Sequence, residues 1–442
     1  MENEKSIHLD HIKDYRNYYQ NNQVSKVASK ALSKTDIKDV CYDLNRTKSM
    51  NHKFSVEVQT LPATNQKHSA RCWIFSALNI LREKIAKDLN LAEFELSQNF
   101  VSFYDHLEKA NSFLENIIET ADRSTNDRLV RWFLESPVSD GGWWEMFVSL
   151  CQKYGVVPKE AMPENFQSEN TAPMNNIIST QLRQDAIILR KAIADGKDMA
   201  EIRQMKEEML KSVYNIIAIC LGNPPETFDF EYVDKDKNYH ADRNLTPKQF
   251  YDKYLGHDLD QIISVMNAPS STKPYNKTFL LNYGGSLEGG RDIKLLNLEM
   301  ADMKAALIKQ LEAGEIAWFS CDCHPYGCRA EGIWDTKMYD FDTPFSLDVH
   351  MSKEEMLDYR QSSPNHAMVI TGVNLVDGKP DKWKIENSWG TETTNKGYYI
   401  MSDEWFDQYV YVVCLNRKYL TEEQSNLFDQ EPIPMDPWDQ IN

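Results

Sequence analysis

The chain has 442 residues, 41% hydrophobic and 11% aromatic, enough apolar content to fill a sizeable core, which excludes a disordered chain. Its 49 Lys and Arg against 67 Asp and Glu leave a formal charge of −18, which argues against nucleic acid as a partner because phosphate backbones repel it. No run approaches the ~20 apolar residues that span a bilayer, and MENEKSIHLDHIKDY lacks the apolar centre of a secretion signal, so no membrane role and a cytoplasmic location are expected.

Residues 1–60 are highly charged and read as an N-terminal extension laid on the surface, with one short helix at 24–32. Residues 61–160 read as a helical unit, and its key stretch is LPATNQKHSARCWIFSALN, 61–79. Turn-forming residues there lead into apolar positions at helical spacing: Cys72, Phe75, Leu78, Leu81, Ile85 and Leu89. Cys72 therefore falls in the first turn of a helix, where free backbone N–H groups and the positive end of the helix dipole favour a thiolate. Gln66 offers an amide donor in the same loop, suited with the N–H of Cys72 to hold an oxyanion. A plain core role for a cysteine beside Trp73 is the alternative.

Further helices are expected at 97–110, with Ser97 as cap, at 111–120 and at 126–134. In SDGGWWEMFVSLCQKYG, 139–155, a glycine pair precedes Trp143 and Trp144 and a short helix that ends at Gly155. Open backbone beside an aromatic wall suits an extended peptide; core filling by the tryptophans is the other reading. Residues 161–270 read as a helical insertion, with two amphipathic helices in 178–221 broken near Gly196, then Pro224 and Pro225 and a strand at 227–232.

From 271 to 428 the pattern turns to strands, at 279–283, 315–323, 366–376, 382–389, 397–401 and 410–416, with one helix at 299–312. A helical half followed by a strand-rich half defines an α+β chain with a cleft at the boundary. Residues 429–442 form a tail. The eight cysteines are irregularly spaced and make no disulfide scaffold, so they are expected to stay thiols in a reducing compartment.

His366 opens an alternating strand after a Ser-Ser-Pro-Asn turn, which puts an imidazole at a strand end rather than in an apolar layer. Asn387, in IENSWG, is placed in the turn after the next strand to accept the proton of the far ring nitrogen, with Trp389 as a roof over that bond. Held so, the ring presents its other nitrogen to Cys72, and the pair is expected to rest as thiolate and imidazolium: nucleophile, base and orienter. A rival reading is a metal-binding module on Cys321, Cys323, His324 and Cys328, although three of these crowd within four residues, unlike the spaced pairs of zinc folds.

These stretches, together with FELSQNFVSFYD at 94–105 and NPPETFDFEY at 223–232, resemble the papain-like cysteine peptidases, in particular the bleomycin hydrolase and bacterial aminopeptidase C branch. The likeness extends over about 400 residues. Cys72 and His366 are 294 residues apart, against roughly 130–150 in compact papain-type chains, and the insertion accounts for the excess.

The resemblance implies a two-lobe fold, Cys72 as nucleophile, His366 as base and acid, Asn387 as orienter and Gln66 as oxyanion donor. It further implies substrate contacts from Trp143, Gly142, Asn365 and Asn442, no cofactor, and a homohexamer whose chamber admits peptides and unfolded segments. His68 and Ala70 stand where the family usually has Ser and Gly; a positive φ at residue 70 would strain the alanine. In the family a C-terminal arm lies in the cleft and its terminal carboxylate holds the substrate's α-amino group. Here only Gln440, Ile441 and Asn442 follow Trp438-Asp439, which keeps two readings open: an aminopeptidase, or an endopeptidase or oligopeptidase with an arm too short to fill the cleft.

Overall fold

The computed structural model describes residues 5–256 and 258–442, so the first four residues of the charged N-terminal stretch lie outside the described part. The N-terminal extension is more regular than its sequence suggests: α1 (Leu9–Asn21), α2 (Gln23–Leu32), α3 (Ile37–Cys41) and α4 (Leu44–Ser49) precede a two-residue strand, β1 (Val56–Glu57). The expected helix at 24–32 is α2. No residue of α1 is buried, so no apolar stripe announces it. The starts of α3 and α4 are fixed instead by the carboxylates of Asp36 and Asp43, which accept backbone N–H groups of the first turn.

The helical layer comprises α5 (Cys72–Asp88), α6 (Gln98–Glu119), α7 (Arg128–Glu135), α8 (Trp144–Tyr154), α9 (Ala172–Ala194), α10 (Met199–Leu221) and α11 (Pro247–Tyr254). Ser97 caps α6 by accepting from the N–H of Phe100 at 3.0 Å. One helix then runs through 110–111, where two were expected, because Asn111 does not act as a cap; its side chain accepts from Lys206 Nζ of α10 at 2.9 Å. The break between α9 and α10 falls at Gly196, with φ +85°, and Asp198 opens α10 with a reciprocal capping box.

The remaining strands are β2 (Phe228–Val233), β3 (Tyr239–Leu245), β4 (Ile262–Met266), β5 (Lys277–Leu281), β6 (Lys294–Asn297), β7 (Ala317–Cys321), β8 (Gly327–Cys328), β9 (Ile333–Trp334), β10 (His366–Val376), β11 (Lys379–Glu386), β12 (Tyr398–Ser402), β13 (Val410–Asn416) and β14 (Ile433–Met435). The hairpin β2–β3 forms its own sheet. The others make one sheet in the order β14-β5-β6-β4-β13-β7-β10-β11-β12-β9-β8, with β1 added to β10. The helix α12 (Met300–Glu312) lies between β6 and β7 in sequence. Strand β4 falls inside the stretch read as insertion, yet it pairs with β13 and β6 in the main sheet. It is only five residues long, too short for its apolar run to distinguish strand from helix.

Two interactions position the site. Helix α5 packs against β10, burying Trp73, Ile74, Ala77, Leu78, Leu81 and Ile85, and each large aliphatic side chain so buried contributes about 1.5–3 kcal/mol. Strand β10 pairs antiparallel with β7 and β11, with His366 opposite Cys321 at the strand start. The N-terminus of a buried helix is thereby set against the beginning of a central strand.

Candidate active site

The boundary between helices and sheet opens into a cleft of about 710 Å³, lined among others by Gln66, Cys72, Gly142, Trp143, His366 and Asn442. Cys72 is the first residue of α5, and Arg71 before it provides no side-chain cap. The N–H groups left free there do different work: those of Cys72 and Trp73 favour the thiolate, as does the backbone N–H of Ala367, the residue after His366. This last contact brings the thiol to the start of β10.

His366 Nε2 is 2.9 Å from Asn387 Oδ1, which leaves Nδ1 as the nitrogen available to Cys72. Trp389 stacks on the imidazole with ring centroids 5.0 Å apart and planes 22° from parallel, and the Arg329 guanidinium lies 4.5 Å from the Trp389 ring centroid. The bond to Asn387 is buried beneath this stack.

Burial dominates the electrostatics. It pushes the Cys72 thiol up against the effect of the three N–H donors, and it pulls His366 down to about 4 against the bond to Asn387, helped by the Arg329 guanidinium. Taken singly, both groups are neutral near pH 7. Burial thus works against the thiolate–imidazolium pair expected from sequence, since it disfavours each of the two charges.

Gln66 ties the two sides together. Its N–H donates to Ser388 O at 2.8 Å and its Oε1 accepts from the Ser388 hydroxyl at 2.5 Å. Its Nε2 donates to Ser69 O at 2.6 Å, so one of the two amide protons is engaged and the second remains for a ligand. Lys67, not Ala70, carries the positive φ of this loop, 52°, so the alanine is unstrained. His68 is exposed at the cleft, and its N–H donates to Glu169 O.

The two tryptophans of the Gly-Gly segment divide the roles proposed for them. Trp144 is core, packed near Phe147 and Trp318, whereas Trp143 lines the cleft. Gly142 is required by close approach: a Cβ there would stand 2.6 Å from the Trp73 ring. Asn365 also lines the cleft, but its side chain is spent on the segment after β7, on Asp322, His324 and the N–H of Cys323. Any substrate contact it makes is through the main chain.

The tail reaches the cleft. Ile441 is fully buried, Asn442 accepts from Trp143 Nε1 at 3.3 Å, and both line the cavity that contains Cys72. An arm too short to fill the cleft is thus corrected: β14 runs parallel to β5 at the sheet edge and delivers the last residues directly to the site.

One functional cluster escaped sequence reading. The Asp140 carboxylate accepts from Thr171 at 2.6 Å and Asn175 at 2.9 Å and pairs with His106 Nε2 at 3.3 Å, while its carbonyl accepts from Trp73 Nε1 at 2.5 Å. These bonds hold the glycine pair against α5. The aspartate was in view as part of DGGWW, but its partners lie 31–35 residues away in either direction, His106 within α6, Thr171 just before α9 and Asn175 within it, with no local mark. Among the described residues no group of three or more His, Cys, Asp or Glu is placed to hold a metal ion, so the Cys321, Cys323, His324 and Cys328 reading has no support.

A helix-borne cysteine facing a strand-borne histidine, with asparagine and tryptophan behind it, is the arrangement of a papain-like cysteine peptidase. The sequence profile of the Peptidase C1-like family matches residues 6–442, and the chain belongs to that family. It is 44% identical to Aminopeptidase C of Lactobacillus delbrueckii subsp. lactis over 438 residues, covering 98% of each chain. It is 43% identical to Aminopeptidase C of Listeria monocytogenes serovar 1/2a, covering 98% of this chain and 97% of the other. The crystal structure of PepW from Lactobacillus rhamnosis HN001 matches with a TM-score of 0.97 at 42% identity, covering 99% of each chain.

Proposed function

We propose that this protein is a cysteine aminopeptidase that removes N-terminal residues from peptides, with Cys72, His366, Asn387 and Gln66 as its catalytic residues. The observation that carries the reading is the cleft itself: the thiol sits at the start of β10 beside His366, and Ile441 and Asn442 occupy the lining of the same cavity. A peptide whose first residues meet the arm presents its first peptide bond to Cys72.

In the mechanism, the Cys72 thiolate attacks the carbonyl carbon, and the oxyanion is held by the second Nε2 proton of Gln66 and the N–H of Cys72. His366 gives its proton to the leaving amine, and the acyl-enzyme is a thioester. Water then attacks the thioester, passing a proton to His366, and Cys72 is released as thiolate. The chemistry needs no cofactor, only a free thiol. Trp143 and Gly142 line the path of the extended peptide, and Asn442, in the lining of the same cleft, is the residue proposed to meet the α-amino group.

The branch is that of bleomycin hydrolase and aminopeptidase C, and a homohexamer is the proposed assembly. Its support is α1, which buries no residue and exposes Leu9, Tyr15, Tyr18 and Tyr19, a face suited to another copy. A cytoplasmic setting accords with eight free thiols. No described helix is long and apolar enough to cross a membrane.

The test compares a fluorogenic aminoacyl amide with its N-acetylated twin. The free amine should be cleaved about 100-fold faster, because a site built to bind a charged group rejects its blocked analogue. Equal cleavage of both would overturn the aminopeptidase reading.

A further inference from the structure

The last four residues are held by contacts remote from the catalytic groups. Lys273, in the segment between β4 and β5, is only 7% exposed, and its ammonium lies 2.8 Å from Asp439 Oδ2. The other oxygen of that carboxylate accepts from the N–H of Ile441 at 3.0 Å, and Asp439 O accepts from the N–H of Asn442 at 3.1 Å. Asp439 is thus at once the anchor of the arm and the residue that bends its end. One residue earlier, the Arg128 guanidinium at the start of α7 stacks over the Trp438 ring at 4.0 Å. On the far side Gln440 donates to Ser362 O at 3.1 Å.

These contacts surround a second cavity of about 470 Å³, separate from the cleft and lined by Arg128, Lys273, Trp438, Asp439 and Gln440. None of them touches the reacting atoms. Resting on the aminopeptidase reading, we propose that Lys273 and Arg128 are positioning residues for substrate specificity. The Lys273–Asp439 pair and the Arg128–Trp438 stack pin the arm so that Ile441 and Asn442 stay in the cleft and exclude peptides lacking a free α-amino group. Removing one partner of a pair this shielded leaves the other charge uncompensated, and an arm released in that way swings clear of the cleft and admits longer or blocked chains.

The experiment measures kcat/KM for the aminoacyl amide and for its N-acetylated twin in the full chain and in Asp439→Asn, Lys273→Met, Lys273→Arg and Arg128→Ala variants. Asp439→Asn keeps an acceptor for the N–H of Ile441 and removes only the charge, so it tests the pair even if Lys273→Met folds poorly. In Asp439→Asn and Lys273→Met the blocked-to-free ratio should rise about tenfold, since losing one partner leaves the other charge buried alone and frees the arm. KM for the free amide should rise while kcat holds. Arg128→Ala should move the ratio in the same direction, and Lys273→Arg should preserve it. A loss of folded enzyme would lower both activities in proportion and leave the ratio and KM alone. If the parent prefers the free amide and Asp439→Asn keeps the parental ratio, the pinning proposal is wrong and the aminopeptidase reading stands. If the parent shows no preference, it is the aminopeptidase reading that fails.

Discussion

His366 Nε2 and Asn387 Oδ1 are 2.9 Å apart, and Trp389 covers the bond between them. That bond fixes which ring nitrogen is left for Cys72, so the orientation of the base is built into two adjacent strands, β10 and β11, rather than into the nucleophile loop. Replacing Asn387 by Ala frees the ring to rotate; kcat is expected to fall by roughly 10–100-fold with little change in KM, as for other residues that orient a functional histidine. Unchanged steady-state kinetics would remove Asn387 from the mechanism.

Cys72→Ala should lower kcat by on the order of 10⁴ or more, the scale seen when a covalent nucleophile is removed, while circular dichroism and assembly stay as in the parent. Mass spectrometry after brief iodoacetamide treatment should find Cys72 alkylated in step with inactivation. Inactivation without label at residue 72 would point to another nucleophile.

The pH dependence follows from burial. The active state carries one proton shared between Cys72 and His366. Adding a second creates a buried imidazolium beside a neutral thiol; burial opposes this and moves the acid limb down towards about 4, the value to which His366 is pulled. Removing the last proton creates a buried thiolate beside a neutral ring, and burial moves that limb above the ordinary thiol value of about 8.5. A profile of kcat/KM should therefore show a broad plateau from about pH 5 to above 8, limited by these two macroscopic steps. An acid limb centred above pH 6.5 would contradict the assignment.

Removing residues 440–442 takes away the fully buried Ile441 and opens one end of the cleft. The truncated enzyme should cleave N-acetylated substrates and internal bonds of short peptides, which chromatography of a peptide digest reads directly. It should also lose about 2 kcal/mol of stability from the isoleucine. A digest still trimmed only from the N-terminus would mean that something other than the arm enforces the exopeptidase mode.

Asp140→Asn should destabilise the fold by about 3 kcal/mol, because it leaves His106 as a buried cation with its partner neutralised. The Asp140 carboxyl is held well below the usual range by His106, Asn175 and Thr171 against the opposing effect of burial, and His106 is raised by Asp140 and Asp105. The depressed carboxylate contributes stability above its unfolded value, about 3.9, and loses it as pH falls further. The raised histidine contributes below about 6.5 and loses it as pH climbs through its folded value. The melting temperature of Asp140→Asn should therefore differ most from the parent between about pH 4 and 6.5.

The catalytic residues were legible because each carries a local mark. Cys72 begins an apolar helical stripe, His366 begins an alternating strand, and Asn387 lies in a polar turn; α5 and β10 begin where those marks put them, whereas β11 ends at Glu386, short of the strand expected at 382–389, because Asn387 and Ser388 turn to the site. The Gly155 stop and the Gly196 break were legible for the same reason, since backbone that needs a positive φ selects its residue type. Short or exposed elements were not: β4 and β6 are too brief for periodicity, and α1 buries nothing.

Local order in the chain, then, determined the family likeness, the types of the reacting groups and the ends of the elements that bear them, because caps, turns and apolar spacing act within a few residues. Only the folded molecule decided how far the tail reaches, what surrounds Asp140, and that burial opposes the charged forms of both Cys72 and His366. Those outcomes depend on distance through space and on the exclusion of water, and neither is written in the spacing of residues along the chain.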